Sequence, residues 1–575
     1  MIEFPTNYEF LRIYESMKKN YPFLIIIILS LLPIFSFFTT DALPHTHDGL
    51  VHVPRLAAFY RALEDGHFPP RYAGFLNHGY GLPLFNFIYH LPYYIGSLLL
   101  WLGTGLVLSF KVSLVFSYIL AGIGMYGFAR AFFKRNDVAL LVTVFYQYAP
   151  FRLVELLIRG SYGEVYTYAF LPFALWGLVK FFEKPSLRTF AATAASTALL
   201  ILSHNSVSLL FFGILVWFVI VFGFKDKKTG ISALGSLFSG IMLSAYYWLP
   251  AVAERKFTYG DLHMRALYED HFVPLYKLIV PNFSNAPAFR VEGISVQLGL
   301  LHLIGVFIGI GYLVMRKRKE DPNLPVKKLV VFSSVLLTGA AIMMSVVSEP
   351  LWKNIALLRQ FQFPWRFLSL AAIASSFTAV FYTLLPVWKE RWFRVLLLSL
   401  VIFSTVYYWK PALGYDTIDE AYYWDFPLNT TYYGETDVKW SAGPASDYPP
   451  APVEVIEGSA AITDYAKKSH EHRFAVEASG SAKLVDHTQY FPGWRVYIDG
   501  VKVPVQFQDP NWRGELTYSV PDGRHAVRAV FGRSKVRIVA EAMSVISLPG
   551  TVIGWFLIRR IISNNPMKHI ANLKK

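Results

Sequence analysis

Apolar residues in this 575-residue chain are gathered into blocks rather than spread along amphipathic stripes. Blocks at 21–40, 110–133, 187–203, 207–224, 231–250, 295–315, 329–347, 366–386, 393–409 and 541–558 are each long enough, at roughly 20 residues, to cross a hydrocarbon layer as helices. Residues 137–150 and 164–182 are weaker versions of the same pattern, which brings the expected count to about twelve spans. From Lys410 to about Ala540 the blocks stop, and short alternating runs with turn signals between them predict strands. RVYIDGVKVPV, 495–505, alternates on both sides of Asp499-Gly500, a pair that tolerates the positive φ of a tight hairpin. A second hairpin is expected across Pro521-Asp522-Gly523, between ELTYSV and HAVRAVF. The predicted fold is an all-α polytopic membrane bundle over 21–409, with a long loop at 41–109, carrying a small β-sandwich at 410–540. A last span follows at 541–560, and residues 1–20 and 561–575 form the two ends.

Composition agrees: 54% of residues are apolar and 16% charged. The formal net charge of +15 would suggest nucleic acid in a soluble protein. Here the basic residues sit in short connectors: MKKN at 17–20, FKRN at 133–136, FKDKK at 224–228, MRKRK at 315–319, KERWFR at 389–394 and the tail from Arg559. Under the positive-inside rule these form one alternating cytoplasmic set. Both termini are then cytoplasmic, the β-sandwich lies outside a plasma membrane, and nucleic acid is not a partner. The same parity decides IYHLPYYIGSLLLWLG, 88–103: as a crossing it would place FKRN, FKDKK and MRKRK outside, so it reads as a helix lying in the outer interface. Residues 53–64 form a second interfacial piece, with Pro54 suited to its first turn. There is no cysteine, which excludes disulfides, thiolate metal sites and cysteine nucleophiles. The first apolar run has no small-residue cleavage pattern behind it and reads as a retained span.

Charge parity also assigns the informative polar stretches to one face. Asp48, just outside the first span, is dehydrated on one side and wet on the other, a setting that raises a carboxylate toward a general base; a solvated loop carboxylate or helix cap is the competing reading. Asp41 is a weaker rival nearer the bilayer edge. His45, His47 and His52 are near enough to suggest metal ligation with Asp48, but their spacing fits no zinc pattern. Arg159 and Glu164, in IRGSYGE, either pair with each other or meet substrate. Glu269, Asp270 and His271 stand beside Arg255 and Lys256 in a charge run that reads equally well as solvated. Arg359 and Arg366 flank Gln362 and Trp365 at the outer start of a span, where a guanidinium either takes a lipid phosphate with forked hydrogen bonds or snorkels to the interface. His204, at the outer end of its span, is a packing or a catalytic histidine. Asn429-Thr430-Thr431 matches a glycosylation sequon.

The order of these features resembles the large membrane glycosyltransferases of the C superfamily, with the GT-C fold, which use polyprenyl-phosphate sugars. Their layout is an acidic motif after span one, an amphipathic helix, a Gly-containing turn leading to Pro-Leu, and a second interfacial helix. It is matched by HDG at 47–49, RLAAFYRALEDGHFPPRY at 55–72 and GLPLFNFIYHLPYYIG at 81–96. More narrowly, HDGLVH, IRGSYGE, LSHN, EDHFVPL, QLGLLH and QFPWRFL, with YFPGWRVYIDG and PDGRHAVRAVF in the β region, resemble YfhO-like and 6-pyruvoyl-tetrahydropterin synthase-related membrane proteins. The resemblance implies an enzyme that transfers a sugar with inversion from a polyprenyl-phosphate donor to an extracytoplasmic glycan, lipid or protein acceptor. Asp48 would be its base, Glu164 and His271 further catalytic groups, and Arg366 with Arg359 the holders of donor phosphate. His52, Arg159, His204 and Gln362 complete the candidate substrate-binding set. No metal ligand is assigned, and a divalent cation stays open as a cofactor. The chain departs from the protein mannosyltransferase pattern of Asp-Glu in having Asp48-Gly49, which touches both metal assistance and the second carboxylate's role. Two other readings stand beside this one: a lipid-linked glycan or lipid transporter, and a catalytically inactive envelope-assembly scaffold.

Overall fold

The computed structural model describes residues 21–224, 226–281, 294–315, 325–411, 413–432 and 434–563. The N-terminal segment 1–20, most of the basic run MRKRK and most of the basic tail lie outside the described residues. Among those described, eight helices are long and apolar enough to cross a membrane, and two bent helix pairs bring the number to ten. Two expected spans, Leu187–Ser203 and Leu300–Met315, are apolar helices of 17 and 16 residues. At 1.5 Å rise per residue each covers about 25 Å, short of a hydrocarbon thickness of about 30 Å. Leu91–Trp101 has 11 residues and cannot cross, as charge parity required. The expected spans at 137–150 and 231–250 are instead parts of bent pairs: Asn136–Gln147 with Pro150–Arg159 at 54°, and Lys227–Leu243 with Ala245–Phe257 at 68°. Pro150 opens the second half of the first pair, where a proline is tolerated because its N–H would have no partner.

Two helices form the centre. Leu106–Phe133 packs along Tyr162–Glu183 because a Cβ at Gly124 or Gly127 would come within 3.0 Å of Phe173 or 2.5 Å of Trp176. Small residues at these positions let the helices approach closely enough for dispersion contacts to hold them. The N-terminus of Leu106–Phe133 is capped from far along the chain: Leu106 and Val107 N–H donate to the two oxygens of Glu420, each at 2.9 Å. That carboxylate satisfies two otherwise orphan donors and sits on the positive end of the helix dipole.

The sandwich has eight strands: β1 Val453–Glu457, β2 Ala460–Lys468, β3 Glu471–Ala478, β4 Ala482–Gln489, β5 Trp494–Ile498, β6 Val501–Val503, β7 Glu515–Val520 and β8 Gly523–Phe531. One sheet runs β2-β3-β8-β5-β6 and the other β1-β4-β7. Val476, Val496 and Val527 of the first sheet share a core with Leu484, Leu516 and Val520 of the second. The Asp499-Gly500 hairpin forms as expected, with φ of 49° and 81° at the two turn residues and Ile498 opposite Val501. The Pro521-Asp522-Gly523 hairpin does not. β7 pairs with β4 and β8 pairs with β3 and β5, so this turn carries the chain from one sheet to the other. Alternation identified both strands, but it carries no information about partners.

Residues 413–432 and 434–452 contribute only short elements. The sandwich is clamped rather than merely tethered. Tyr72 of the first long loop is buried between Trp494 and Phe531, with its hydroxyl donating to Gln489 O at 2.7 Å. Asp65 accepts from Ser469 N–H and Oγ, both at 2.6 Å. The helix predicted over 53–64 begins a turn earlier, at Gly49, and runs to Glu64 with Pro54 inside it rather than in its first turn.

Candidate functional site

A cavity of about 670 Å³ opens where several stretches distant in sequence converge. They include the start of Gly49–Glu64, residues 84–89, the end of Val154–Arg159 with the start of Tyr162–Glu183, the junction at His204, residues 247–264, residues 357–366, and Tyr432 with Glu435 and Thr436. Helix breaks create it. Val154–Arg159 is a π-helical turn that ends on Gly160 at φ 61°; such turns widen a helix and free backbone groups for use elsewhere. Here the freed groups fix Asp48. Its N–H donates to Arg159 O at 2.9 Å, and the N–H of His47 donates to Ile158 O at 3.1 Å. Thr46 packs beneath both strands of this junction, accepting from Gly49 N–H at 3.0 Å. A Cβ at Gly49 would meet Thr46 Oγ1 at 2.6 Å, and one at Gly160 would meet it at 2.2 Å. The Asp48-Gly49 departure thus has a packing cause: a side chain at residue 49 would have to displace Thr46.

Around this junction lies a buried ion cluster. Arg159 contacts Glu155 at 2.5 Å, Glu164 at 3.1 Å and Asp48 at 3.8 Å. Arg366 reaches Glu164 through Nε and Nη2, each at 3.2 Å. Its Nη1 donates to Phe361 O at 2.9 Å and Gln362 Oε1 at 2.5 Å. Glu164 is wholly buried, whereas the Asp48 side chain keeps 16% exposure and is the member of the cluster with its carboxylate open to the cavity. Burial, helped by the charge of Glu164, raises the Asp48 carboxyl above its ordinary 3.8, against the opposing guanidiniums of Arg159, Arg366 and Arg55. His52 is pushed well below 6.5 by burial and then by Arg55, so it is neutral; its Nδ1 meets Tyr93 Oη at 2.8 Å. His204 Nδ1 accepts from Val207 N–H at 3.2 Å, which leaves Nε2 facing Glu164 at 3.8 Å.

The structure thus gathers Asp48, His52, Arg159, Glu164, His204, Gln362 and Arg366 around one cavity. Two candidates are elsewhere. His271 does not line it: the ring packs 4.6 Å from Phe363 and its Nδ1 lies 2.6 Å from Leu267 O, so it supports the wall from behind. Arg359 ends the short helix Ala356–Arg359 outside the lining. Arg366, expected to take a phosphate, has all three nitrogens committed to Glu164, Gln362 and Phe361, and it organises the site instead. Sequence reading missed Glu155, Arg55 and Glu435. Glu155 sits in an otherwise apolar helix turn, and a carboxylate four residues before Arg159 was the available signal. Arg55, 6% exposed, is held by Thr430 through Nε to Oγ1 at 3.2 Å and Nη2 to the carbonyl. That contact spans 375 residues and left no local trace. Tyr432 Oη donates to His47 O at 2.9 Å, bringing Glu435 over the cavity.

Among the described residues no group of three or more His, Asp or Glu side chains is arranged to hold a metal ion. The carboxylates of the cluster face guanidinium groups, the partners a dication would have to displace.

Comparison with known proteins gives likenesses to a relative and to solved structures, and a family match. An uncharacterized protein of Lactococcus lactis subsp. cremoris (strain MG1363) is 24% identical over 291 residues, 46% of this chain and 47% of that protein, so the match spans about half of the relative. The apo oligosaccharyltransferase of Archaeoglobus fulgidus superposes with a TM-score of 0.46 at 13% identity, over 74% of this chain and 62% of that one. The arabinofuranosyltransferase AftD from mycobacteria gives 0.40 at 15% identity, over 68% and 27%. Likenesses this loose do not carry an activity from one chain to another. The family model for the 6-pyruvoyl-tetrahydropterin synthase related domain, described as a membrane protein, matches residues 85–412. That stretch holds most of the cavity wall and ends before the sandwich, while Asp48 precedes it. It is more than half of the chain, and the chain belongs to this family of membrane proteins.

Proposed function

We propose that this protein is a membrane glycosyltransferase that moves a sugar from a polyprenyl-phosphate donor to an acceptor hydroxyl outside the cytoplasm. The observation that carries the reading is Asp48, the partly exposed carboxylate of the ion cluster, beside a cavity of about 670 Å³ whose wall also holds Asp261 and Glu435, while an adjacent guanidinium pair neutralises the buried acids behind it. In this reading the acceptor oxygen attacks the anomeric carbon as the bond to phosphate oxygen breaks, and Asp48 takes the hydroxyl proton. Phosphate leaves without needing a proton, so one base suffices, unlike glycosidases that protonate a sugar oxygen. One in-line displacement gives inversion. Since Arg366 is engaged, the donor phosphate is assigned to Lys256, at the end of the bent helix pair, helped by Arg255, which also meets Asp261 at 2.8 Å, and by Arg55 in the same lining. The apolar lining at Leu209, Val252 and Leu357, all strongly exposed, suits a polyprenyl chain entering from lipid. The outward orientation rests on the basic connectors.

The test is transfer from a panel of synthetic polyprenyl-phosphate sugars by the purified chain in lipid nanodiscs, with mass spectrometry of co-purified lipids to guide the choice of donor. Asp48→Asn is expected to lower turnover by at least about 100-fold, the scale of a lost general base, with unchanged yield and melting. An Asp48→Asn protein that transfers at the full rate overturns the assignment.

A further inference from the structure

A second cavity, of about 330 Å³, lies where the sandwich meets the first long loop, and it shares no lining residue with the first. Its size is at the lower end of small-molecule pockets, roughly 300–1,000 Å³. The walls carry Asn77, Tyr80, Asp447, Tyr448, Gln489 and Arg513. Gln489 ends β4 just past an irregularity in its pairing with β7. Its backbone is pinned on both sides, the N–H donating to Tyr80 O at 2.8 Å and the carbonyl accepting from Tyr72. The side chain is 5% exposed, yet its Oε1 has no hydrogen-bond partner among the described residues. A buried amide carbonyl left without a donor is costly, so a folded protein retains one where something else supplies the donor.

The opposite wall is built with comparable strain. Asn77, His78 and Gly79 have φ of 59°, 52° and 80°, three successive left-handed residues, two of them not glycine. Asn77 N–H donates to Leu428 O and its Oδ1 accepts from Ala445 N–H at 2.9 Å, so the loop holds residues 441–450 against the sandwich. Burial and the nearby Glu515, Glu454 and Asp447 push the Tyr80 phenol up to about 12, which keeps it protonated as a donor. Glu515, also in the wall, is held from behind by His487 at 2.5 Å.

We infer that this cavity is a binding site for an uncharged oligosaccharide, recognised by the amides of Asn77 and Gln489, the guanidinium of Arg513 and the carboxylate of Asp447, with Tyr80 and Tyr448 beside the sugar faces. Planar groups offering two donors or two acceptors match neighbouring hydroxyls, and phenol rings cover C–H faces while keeping a polar tip. One guanidinium stands against two carboxylates, Asp447 and Glu515, so no excess positive charge invites a phosphate or a nucleotide. The neighbouring edge of the three-stranded sheet is already bridged, Gln506 to Thr517, which closes it to an added peptide strand. The inference stands whether or not the first cavity transfers sugar.

The experiment uses the full chain in nanodiscs and a panel of neutral linear tetra- to hexasaccharides of glucose, galactose, mannose, arabinose and rhamnose, read by saturation-transfer NMR and tryptophan fluorescence. At least one is expected to bind saturably. Arg513→Ala, an exposed change, and Gln489→Leu, checked for folding by circular dichroism, should each weaken that binding at least about tenfold, and Asp48→Asn should leave it unchanged. The site is overturned if no panel member binds at about 10 mM, if Arg513→Ala binds as well as the parent, or if an anionic oligosaccharide or a peptide displaces the neutral one. Loss of binding with intact sugar transfer, or the reverse, separates this site from the first.

Discussion

A carboxylate placed between buried acids and buried guanidiniums is pulled both ways, and at Asp48 burial wins. Loss of water is the largest cause; the Arg159 guanidinium opposes it, the negative charge of Glu164 adds to it, and Arg366 and Arg55 recover a further part of the cost. The consequence is a pH dependence with a definite sign. In the proposed reaction Asp48 has to be ionised to act as base, so activity is expected to fall as pH drops through its pKa, and that limb is expected above the ordinary carboxylate value of 3.8. The profile of kcat/KM in the free enzyme reports it. Asp48→Glu should retain an acid limb, moved in position, because it keeps the charge and displaces the group. If the residual activity of Asp48→Asn showed the same limb, the titrating group would be another residue. In the sandwich the sign is opposite. Burial lowers the His487 pKa but is outweighed by hydrogen bonds and charge from Glu515 and Glu454, which raise it above 6.5. Its contribution to stability is complete below the unfolded value and lost as pH rises through the folded one. His487→Gln should flatten the decline of the melting midpoint between pH 6 and alkaline pH, and an unaltered slope would show that the ion pairs at His487 do not matter.

Elements were legible where a period or a block defines them and illegible where distant chain decides. The apolar blocks located the helices because a segment that meets lipid has to be apolar over its length. They did not show that two of them are bent, because a break at Pro150 or Ser244 leaves the hydropathy block continuous. Asp499-Gly500 announced its turn since both residues must take positive φ, whereas Pro521-Asp522-Gly523 looked identical locally and switches sheets. Likewise the cavity was readable through ionisable residues that stood out of apolar surroundings, such as Glu164 and Arg366, and unreadable at Arg55 or Glu435, whose partners are hundreds of residues away. The start of Gly49–Glu64 gives a clean element-level prediction. Gly49→Ala puts a methyl 2.6 Å from Thr46 Oγ1 and 3.3 Å from Pro44 O. Overpacking of that kind costs about 1–3 kcal/mol, and here it would also displace Asp48. Melting point and turnover should both fall, and adding Thr46→Ala should restore most of the melting point, since the contact with residue 44 is tolerable after a small shift. A double variant no better than Gly49→Ala alone would mean the clash is not with Thr46.

At the scale of the whole molecule, one buried charge pair ties the sandwich, the last helix, the first long loop and the bent helix pair together. Glu254 and Arg537 are 3% and 1% exposed, joined at 2.9 Å, and Glu254 also accepts from Asn86 at 2.8 Å and Ser534 at 2.6 Å. Arg537 continues the link to Pro492 O at 3.0 Å and Gly532 O at 3.3 Å, between the rings of Phe491 and Phe531. Removing one member of such a pair leaves the other charged and dehydrated, at a cost of about 3–5 kcal/mol. The loss would not stay local. Thr430 and Tyr432, in the connector that leads to β1, hold Arg55 and His47, and Tyr432 with Glu435 and Thr436 roofs the first cavity. If the sandwich loosens, that roof loses its downstream anchor. Glu254→Ala is therefore expected to lower the melting midpoint, to expose residues 441–450 to protease, and to reduce sugar transfer while the acid limb set by Asp48 keeps its position. The combination matters, because a change at Asp48, the proposed base, would move the limb and a purely local defect would spare the roof. Glu254→Gln, which keeps a neutral acceptor for Asn86 and Ser534, should lie between Glu254→Ala and the parent. An unchanged midpoint in Glu254→Ala would show that the clamp is not what holds the two bodies together, and the role of the sandwich in shaping the cavity would fall with it.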